Sequence, residues 1–409
     1  MAGGPLTTPS CWCRTRTILS VLLVTVFCFA GAVAAWAAED PALEAFRAAK
    51  QAYYRNPAEA VELFKNLLKK HRDSEWTPEA YYWLAKSLEA SKADRGEVIR
   101  AYALFLRNWP HHELSDQAAF AIADSYRNQR TSREDLTTAL DRFQKFLREY
   151  PQSDRVPEAY FKMGDLHRAL HDYDKAIETF GKVVKDYPQS PFVLPARMGV
   201  ADSLFLARRL DESIEAYNLI LDVPMGDGQH QEVRLALLDA FLDANRLQEA
   251  GQQAVTIRQE ADDKRYRQDY AEFQTRCRLA GYYQSHQQYD AAVAELRAYM
   301  DRFPNSEYVW PARLELGFVY VMAEKPHEAG EQFHLIIAKH PRRESDKPPA
   351  LVVGAYYGRA WAAELAKDYA RAIEQYQYVV NTYPKYDYAA EAQKRLKALR
   401  ERLESEDKK

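Results

Sequence analysis

The sequence predicts an all-α fold, a right-handed superhelix of about nine helix-turn-helix repeats, and three observations predict it. The first is the stretch from Val156 to Ser190. Ala159, Met163, Leu166 and Leu170 form one apolar stripe at helical spacing, and Ala176, Phe180, Val183, Val184 and Tyr187 form a second. Between them His171-Asp172-Tyr173-Asp174 leaves room only for a tight antiparallel turn, with acidic residues where the second helix begins. The second observation is recurrence. Ala60, Val98, Ala139, Ala176, Ser213, Ala250, Ala292, Ala329 and Ala372 each open a second helix, at spacings of 37 to 43 residues. The third is composition: 15 Gly against 27 Tyr and 17 Phe, with 47% hydrophobic residues, supplies a helical chain with ample material to bury. Short helices apolar on one face cannot bury that face alone, so each pair needs neighbours of its own kind.

Residues 1–37 read as a signal peptide, or else an N-terminal membrane anchor. Arg14 and Arg16 precede an apolar run through Ile18, Leu22, Leu23, Val26 and Phe27, and Ala35 and Ala37 permit cleavage before Ala38. Removing this segment takes the formal charge from -3 to -5, without the basic excess that nucleic-acid binding requires. Cys11, Cys13 and Cys28 fall inside it, leaving Cys277 as the sole cysteine of the mature chain. Phe27 before Cys28 is bulky where a lipoprotein signal takes a small residue, which argues against a lipid anchor.

Residues 40–224 read as an N-terminal array of repeats 1–5. Four residues after each small marker stands a bulky and mostly aromatic residue, such as Phe64, Tyr102, Phe143, Phe180, Tyr217, Phe333 and Tyr376; the exception is Ala254. Prolines twelve residues after the marker, including Pro110, Pro151, Pro188, Pro304 and Pro384, end the second helices. Residues 225–266 open with the turn-rich Pro224–His230 segment, the sixth repeat after it lacks both the aromatic and the proline, and the whole is expected to form a degenerate joint. Residues 267–386 carry repeats 7–9, with a polar insertion at 342–349. Residues 387–409 read as a charged capping helix and tail, with Leu396, Leu399 and Leu403 as its thin apolar stripe.

These repeats resemble tetratricopeptide (TPR) repeats. The runs Tyr150-Pro151-Gln152-Ser153, Tyr187-Pro188-Gln189-Ser190 and Phe303-Pro304-Asn305-Ser306 are similar to those of bacterial envelope TPR proteins of the BamD-like and CpoB (YbgF)-like types. The resemblance implies a periplasmic scaffold that binds a protein partner as a peptide or helix and catalyses nothing. An outer-membrane protein assembly factor and a peptidoglycan-associated division or polysaccharide-export accessory factor are its two more specific forms. Membrane contact is then expected only through an uncleaved N-terminal segment or through a partner.

Chemistry-bearing motifs are sparse. His167 and His171 stand at metal-ligand spacing, but Arg168 occupies the place of a zinc-protease Glu and no third ligand is evident. No cofactor motif, nucleophile elbow or phosphate loop occurs, so no catalytic, cofactor or metal residue is expected. The expected site is a surface. Counting back from the markers places Leu314, Phe318, Val321, Met322, Tyr357 and Trp361, with Met198 and Phe205, on the groove face of first helices as anchors for a docked segment. The same count places Ala42, Ala45, Ala49 and Ala52 there in the first repeat, predicting a shallow groove.

Overall fold

The computed structural model describes residues 40–127, 132–263, 267–340 and 349–406. Among the described residues there are nineteen helices and no strand, so the fold is all-α. In chain order they are α1 (Pro41–Arg55), α2 (Pro57–Lys70), α3 (Thr77–Ala90), α4 (Arg95–Asn108), α5 (Ser115–Arg127), α6 (Arg133–Glu149) and α7 (Val156–Ala169). Then follow α8 (Tyr173–Asp186), α9 (Val193–Leu206), α10 (Leu210–Leu221), α11 (Asp227–Asp243), α12 (Leu247–Asp262), α13 (Gln268–Ser285) and α14 (Tyr289–Arg302). The series closes with α15 (Val309–Met322), α16 (Pro326–Lys339), α17 (Ala350–Leu365), α18 (Tyr369–Thr382) and α19 (Asp387–Glu406). Odd-numbered helices up to α17 are the first helices of the repeats and even-numbered ones the second. The chain divides into two compact units between Asp172 and Tyr173, the first holding α1–α7 and the second α8–α19. Residues 1–37, expected to be a signal peptide or anchor, and all of the 342–349 insertion but Pro349, lie outside the described residues.

The markers occupy the positions where helices approach most closely. All nine are at most 4% exposed, and the residues four further on, from Phe64 to Tyr376, are at most 2% exposed. Where that residue is tyrosine, its hydroxyl needs a partner once buried. Tyr102 donates to Glu89 at 3.0 Å, Tyr217 to Asp202 at 2.7 Å and Tyr376 to Glu364 at 2.7 Å. Two glycines admit a ring between successive first helices. A Cβ on Gly317 of α15 would stand 2.6 Å from the ring of Phe333, and one on Gly358 of α17 closer still. Gly199 stands in the same relation to Phe180, at 2.7 Å.

The turns follow from the sequence as directly. In the Pro-x-Ser runs the serine oxygen accepts from the backbone N–H two residues on: Ser153 from Arg155, Ser190 from Phe192 and Ser306 from Tyr308, each at 3.2 Å. Most first helices end with a left-handed residue that is not glycine: Lys92, His171, Arg208, Asn245, Gln287, Glu324 and Lys367 have φ between 55° and 63°. The next residue's N–H reaches back five positions, as from Lys325 to the Tyr320 carbonyl at 2.9 Å, which satisfies carbonyls the helix end leaves open. Glycine adopts this conformation without the Cβ penalty, although it adds freedom to the unfolded chain. Glu324→Gly is therefore expected to stabilise the second unit by about 0.5–1 kcal/mol in urea denaturation. A loss of stability would show that the turn is not under Cβ strain.

The segment 225–266, expected to be a joint, holds the helix pair α11–α12. Its core contains Val233, Leu237, Leu238, Phe241, Ala254 and Ile257. The contact between this pair and the next repeat combines apolar packing, Ile257 and Ala261 with Ala271 and Leu279, and an ionic network. Glu272 of α13, 2% exposed, meets Arg276 Nε at 2.6 Å, Arg302 Nη1 at 3.7 Å and Arg258 Nη1 at 4.0 Å. Arg276 also reaches Glu295 at 2.7 Å, and Arg302 reaches Asp262 at 3.0 Å. On α19, Ala389, Ala392, Leu396 and Leu399 are buried, and Lys394, Lys397 and Arg400 face solvent.

Candidate protein-interaction surface

Within each unit, successive first helices touch one another as well as their own second helices. α1 meets α3 in the first unit; α11, α13, α15 and α17 form a continuous row in the second, with α19 beside α17. The first helices thus line the inner side of each unit, and whatever they leave uncovered is the surface offered to a partner.

On α15 that surface is narrow. The helix is flanked by α13, α14, α16 and α17, so its apolar arc wraps most of the way round. Leu314 (8% exposed) and Val321 (2%) are core residues, and Tyr357 of α17 (6%) joins them in burial. These three were expected in the groove; a first helix with neighbours on four sides turns them inward instead. Glu315, Phe318 and Met322 form the open stripe at helical spacing, with Met322 43% exposed and Phe318 half-buried. Glu315 is open to solvent, yet burial pushes its carboxyl above the ordinary range.

Phe318, Tyr357 and Trp361 do come together, with ring centroids 6.1–6.4 Å apart. Their inner side is partly covered by α19. The Arg395 guanidinium lies 3.8 Å from the Trp361 ring centroid and donates to the Tyr357 hydroxyl at 3.1 Å and to Glu364 at 3.3 Å. Tyr388 packs against Gly354 and lies parallel to Phe318 at 6.4 Å. Met198 and Phe205 are half-buried against a separate core around α9–α13. Beside them a polar cleft of about 380 Å³ runs along the ends of α9, α11 and α13. Its charges satisfy one another, Arg278 bonding Asp239 at 2.9 Å and Arg208 bonding Asp243, and Tyr282 donates to Asn245. Cys277, on the same helix row, is half-buried, and burial pushes its thiol up to about 12. His171 lies beyond the end of α7 in a left-handed turn, so it does not share a helix face with the buried His167.

The first unit carries a surface that the sequence reading missed. Its count placed four alanines on the groove face of α1, but Ala42 and Ala49 are core, and Ala45 and Ala52 pack against the same cluster. The cause is the connection: α1 and α2 are joined by Asn56 alone, so counting back from Ala60 shifts the register. Near this position the inner face holds Lys50 and Tyr53 of α1 with Trp83 and Lys86 of α3. Both ammonium groups stand over the Trp83 ring, Lys50 at 4.7 Å and Lys86 at 4.8 Å from its centroid. Tyr53 meets Trp83 edge-on at 5.3 Å, and Tyr54 beside it is 72% exposed. Burial lowers the Lys86 pKa and raises that of Glu89, whose carboxylate is taken up by Tyr102. Neither lysine has a carboxylate within ion-pair distance among the described residues. The legible signal was the repeated lysine–aromatic spacing of three, Lys50/Tyr53 and Trp83/Lys86.

The comparisons with known proteins agree with this architecture. The family model described as an outer membrane lipoprotein, YfiO, matches residues 38–180 and 280–408, and a tetratricopeptide repeat model matches residues 161–230. A search of curated proteins finds no match. Among solved structures, a TPR protein from Parabacteroides merdae is 13% identical with a TM-score of 0.42, over 69% of this chain and 98% of that one. The C-terminal part of a TPR protein from Cytophaga hutchinsonii is 13% identical with a TM-score of 0.49, over 65% and 98%. No described helix is long and apolar enough to cross a membrane. With TPR helix pairs throughout and the family model covering most of its length, the chain belongs to the YfiO (BamD-like) outer membrane lipoprotein family of the bacterial envelope.

Proposed function

We propose that this protein is a non-enzymatic periplasmic scaffold of outer-membrane protein assembly, holding an extended segment of another envelope protein on the inner faces of its first helices. The observation that carries the reading is the pair of ammonium groups over Trp83 with no carboxylate within ion-pair distance among the described residues, Glu89 being taken up by Tyr102. Two like charges held together on an aromatic face favour a ligand that brings negative charge and apolar surface at once. The segment that fits is an acidic peptide with an aromatic side chain, laid between α1 and α3. In the second unit, Phe318 and Met322 beside Glu315, with Met198 and Phe205 further along, offer apolar contacts to a docked segment in their own right.

The test is fluorescence anisotropy with a labelled acidic, aromatic peptide and its charge-reversed counterpart. Lys50→Ala and Lys86→Ala are each expected to weaken binding of the acidic peptide about tenfold, or roughly 1.4 kcal/mol. The loss should shrink at high salt because the interaction is screened. Equal binding of both peptides would overturn the reading. Copurification with a β-barrel insertase is the expected cellular result, whereas retention on cell wall would favour a peptidoglycan-associated role.

A further inference from the structure

A second cleft opens on the other side of the helix row in the second unit. It lies between the second helices α16 and α18, with α17 as its floor, and has a volume of about 440 Å³. Small residues make the space: Gly330 on one wall, and Ala362, Ala363 and Ala366 beneath. Arg359 and Arg371 face into it.

Arg359 is held in place but not neutralised. Its Nε donates to Gln375 at 3.2 Å, and its guanidinium lies over the Tyr356 ring at 5.4 Å. Burial pushes its pKa below the ordinary value and the charge of Arg371 pushes the same way, against the smaller opposing pull of Tyr356, Tyr378 and Glu374. Neither arginine has a carboxylate within ion-pair distance among the described residues. In the same unit Arg209, Arg246, Arg276 and Arg278 each have one, whereas Arg297 and Arg313 bond the uncharged Tyr320 and Gln332; what distinguishes Arg359 and Arg371 is that the two line one recess. Of the two acids at the cleft, Asp368 caps α18 by accepting the Arg371 backbone N–H at 3.2 Å, and Glu331 stands exposed at the rim, 3.6 Å from His327. His334 completes the rim.

Two guanidinium groups in one recess, one of them desolvated, repel each other, and an anion between them would offset that cost. Their paired N–H forks offer more donors than one carboxylate can use, and a phosphate presents enough oxygens for both. We propose that this cleft binds a phosphate group between Arg359 and Arg371, supplied by a lipid headgroup or by free phosphate. The site shares no residue with the peptide surface of the first unit, so the failure of either leaves the other standing.

The experiment is isothermal titration calorimetry of the mature full chain with inorganic phosphate, together with flotation on phosphatidylglycerol and phosphatidylcholine vesicles. Arg371→Gln is the cleaner variant because its side chain is exposed; Arg359→Gln is the second, and Arg208→Gln is a control outside the cleft. Both cleft variants are expected to lose at least tenfold in affinity, with circular dichroism unchanged for Arg371→Gln and binding unchanged for Arg208→Gln. Flotation on phosphatidylglycerol that depends on Arg371 identifies a headgroup, and binding of phosphate without flotation identifies the free anion. No binding by the unaltered chain, equal binding by Arg371→Gln, or an equal loss in Arg208→Gln would overturn the proposal.

Discussion

Replacing Glu272 with alanine is expected to destabilise the second unit by about 3–5 kcal/mol, read as a drop in its urea midpoint. The carboxylate is 2% exposed and stands among Arg276, Arg302 and Arg258. Its removal leaves Arg276, itself only 14% exposed at the side chain, with Glu295 alone. The cost comes from leaving two or three partly buried arginines with one carboxylate fewer than they need more than from losing one attraction, and that distinction can be measured. Replacing Glu272 and Arg276 together with leucine and methionine should recover most of the loss, since an apolar pair of similar volume often packs as well as a buried ion pair. A single-variant loss under 1 kcal/mol would mean that water reaches the network.

The second large effect is expected at Phe333. Its ring is fully buried between Gly317 and Gly358, so Phe333→Ala should cost about 3–5 kcal/mol. Gly358→Ala acts on the same contact from the other side. The new Cβ would overlap the ring, costing about 1–3 kcal/mol by overpacking. Because both changes concern one contact, they should not add. Gly358→Ala combined with Phe333→Leu should be less damaging than the sum of the two single changes, as a double-mutant cycle will read. Strict additivity would show that α17 moves away from the ring without strain.

The repeat pattern was legible because each of its marks has one physical cause. A small residue is needed where helices touch, a ring four residues on fills the space behind it, and a proline cannot continue a helix. The groove was harder to read. Whether Leu314 or Phe318 is exposed depends on neighbouring helices, not on the period of α15. Trp361 is covered by Arg395, which is distant in sequence and carries no local sign of the contact. Ala42 and Ala49 were misplaced by a one-residue connection whose length the spacing of markers cannot reveal. One pattern can be read once the pairs are known. Arg234 with Gln253, Arg276 with Glu295 and Arg313 with Gln332 bond between the two helices of a repeat, each nineteen residues apart.

Where Phe333 sits between two first helices, neighbouring repeats are fastened by a ring; at Ala254 the equivalent ring is missing, and beside it the Glu272 network joins α12, α13 and α14. These two kinds of fastening age differently with temperature. Apolar contacts weaken on cooling, whereas the desolvation penalty of an ion pair falls as the temperature rises. The sixth and seventh repeats, which carry that network beside their apolar core, are therefore expected to gain strength relative to their neighbours on warming and to lose it on cooling, so that the first place to open in the second unit shifts with temperature.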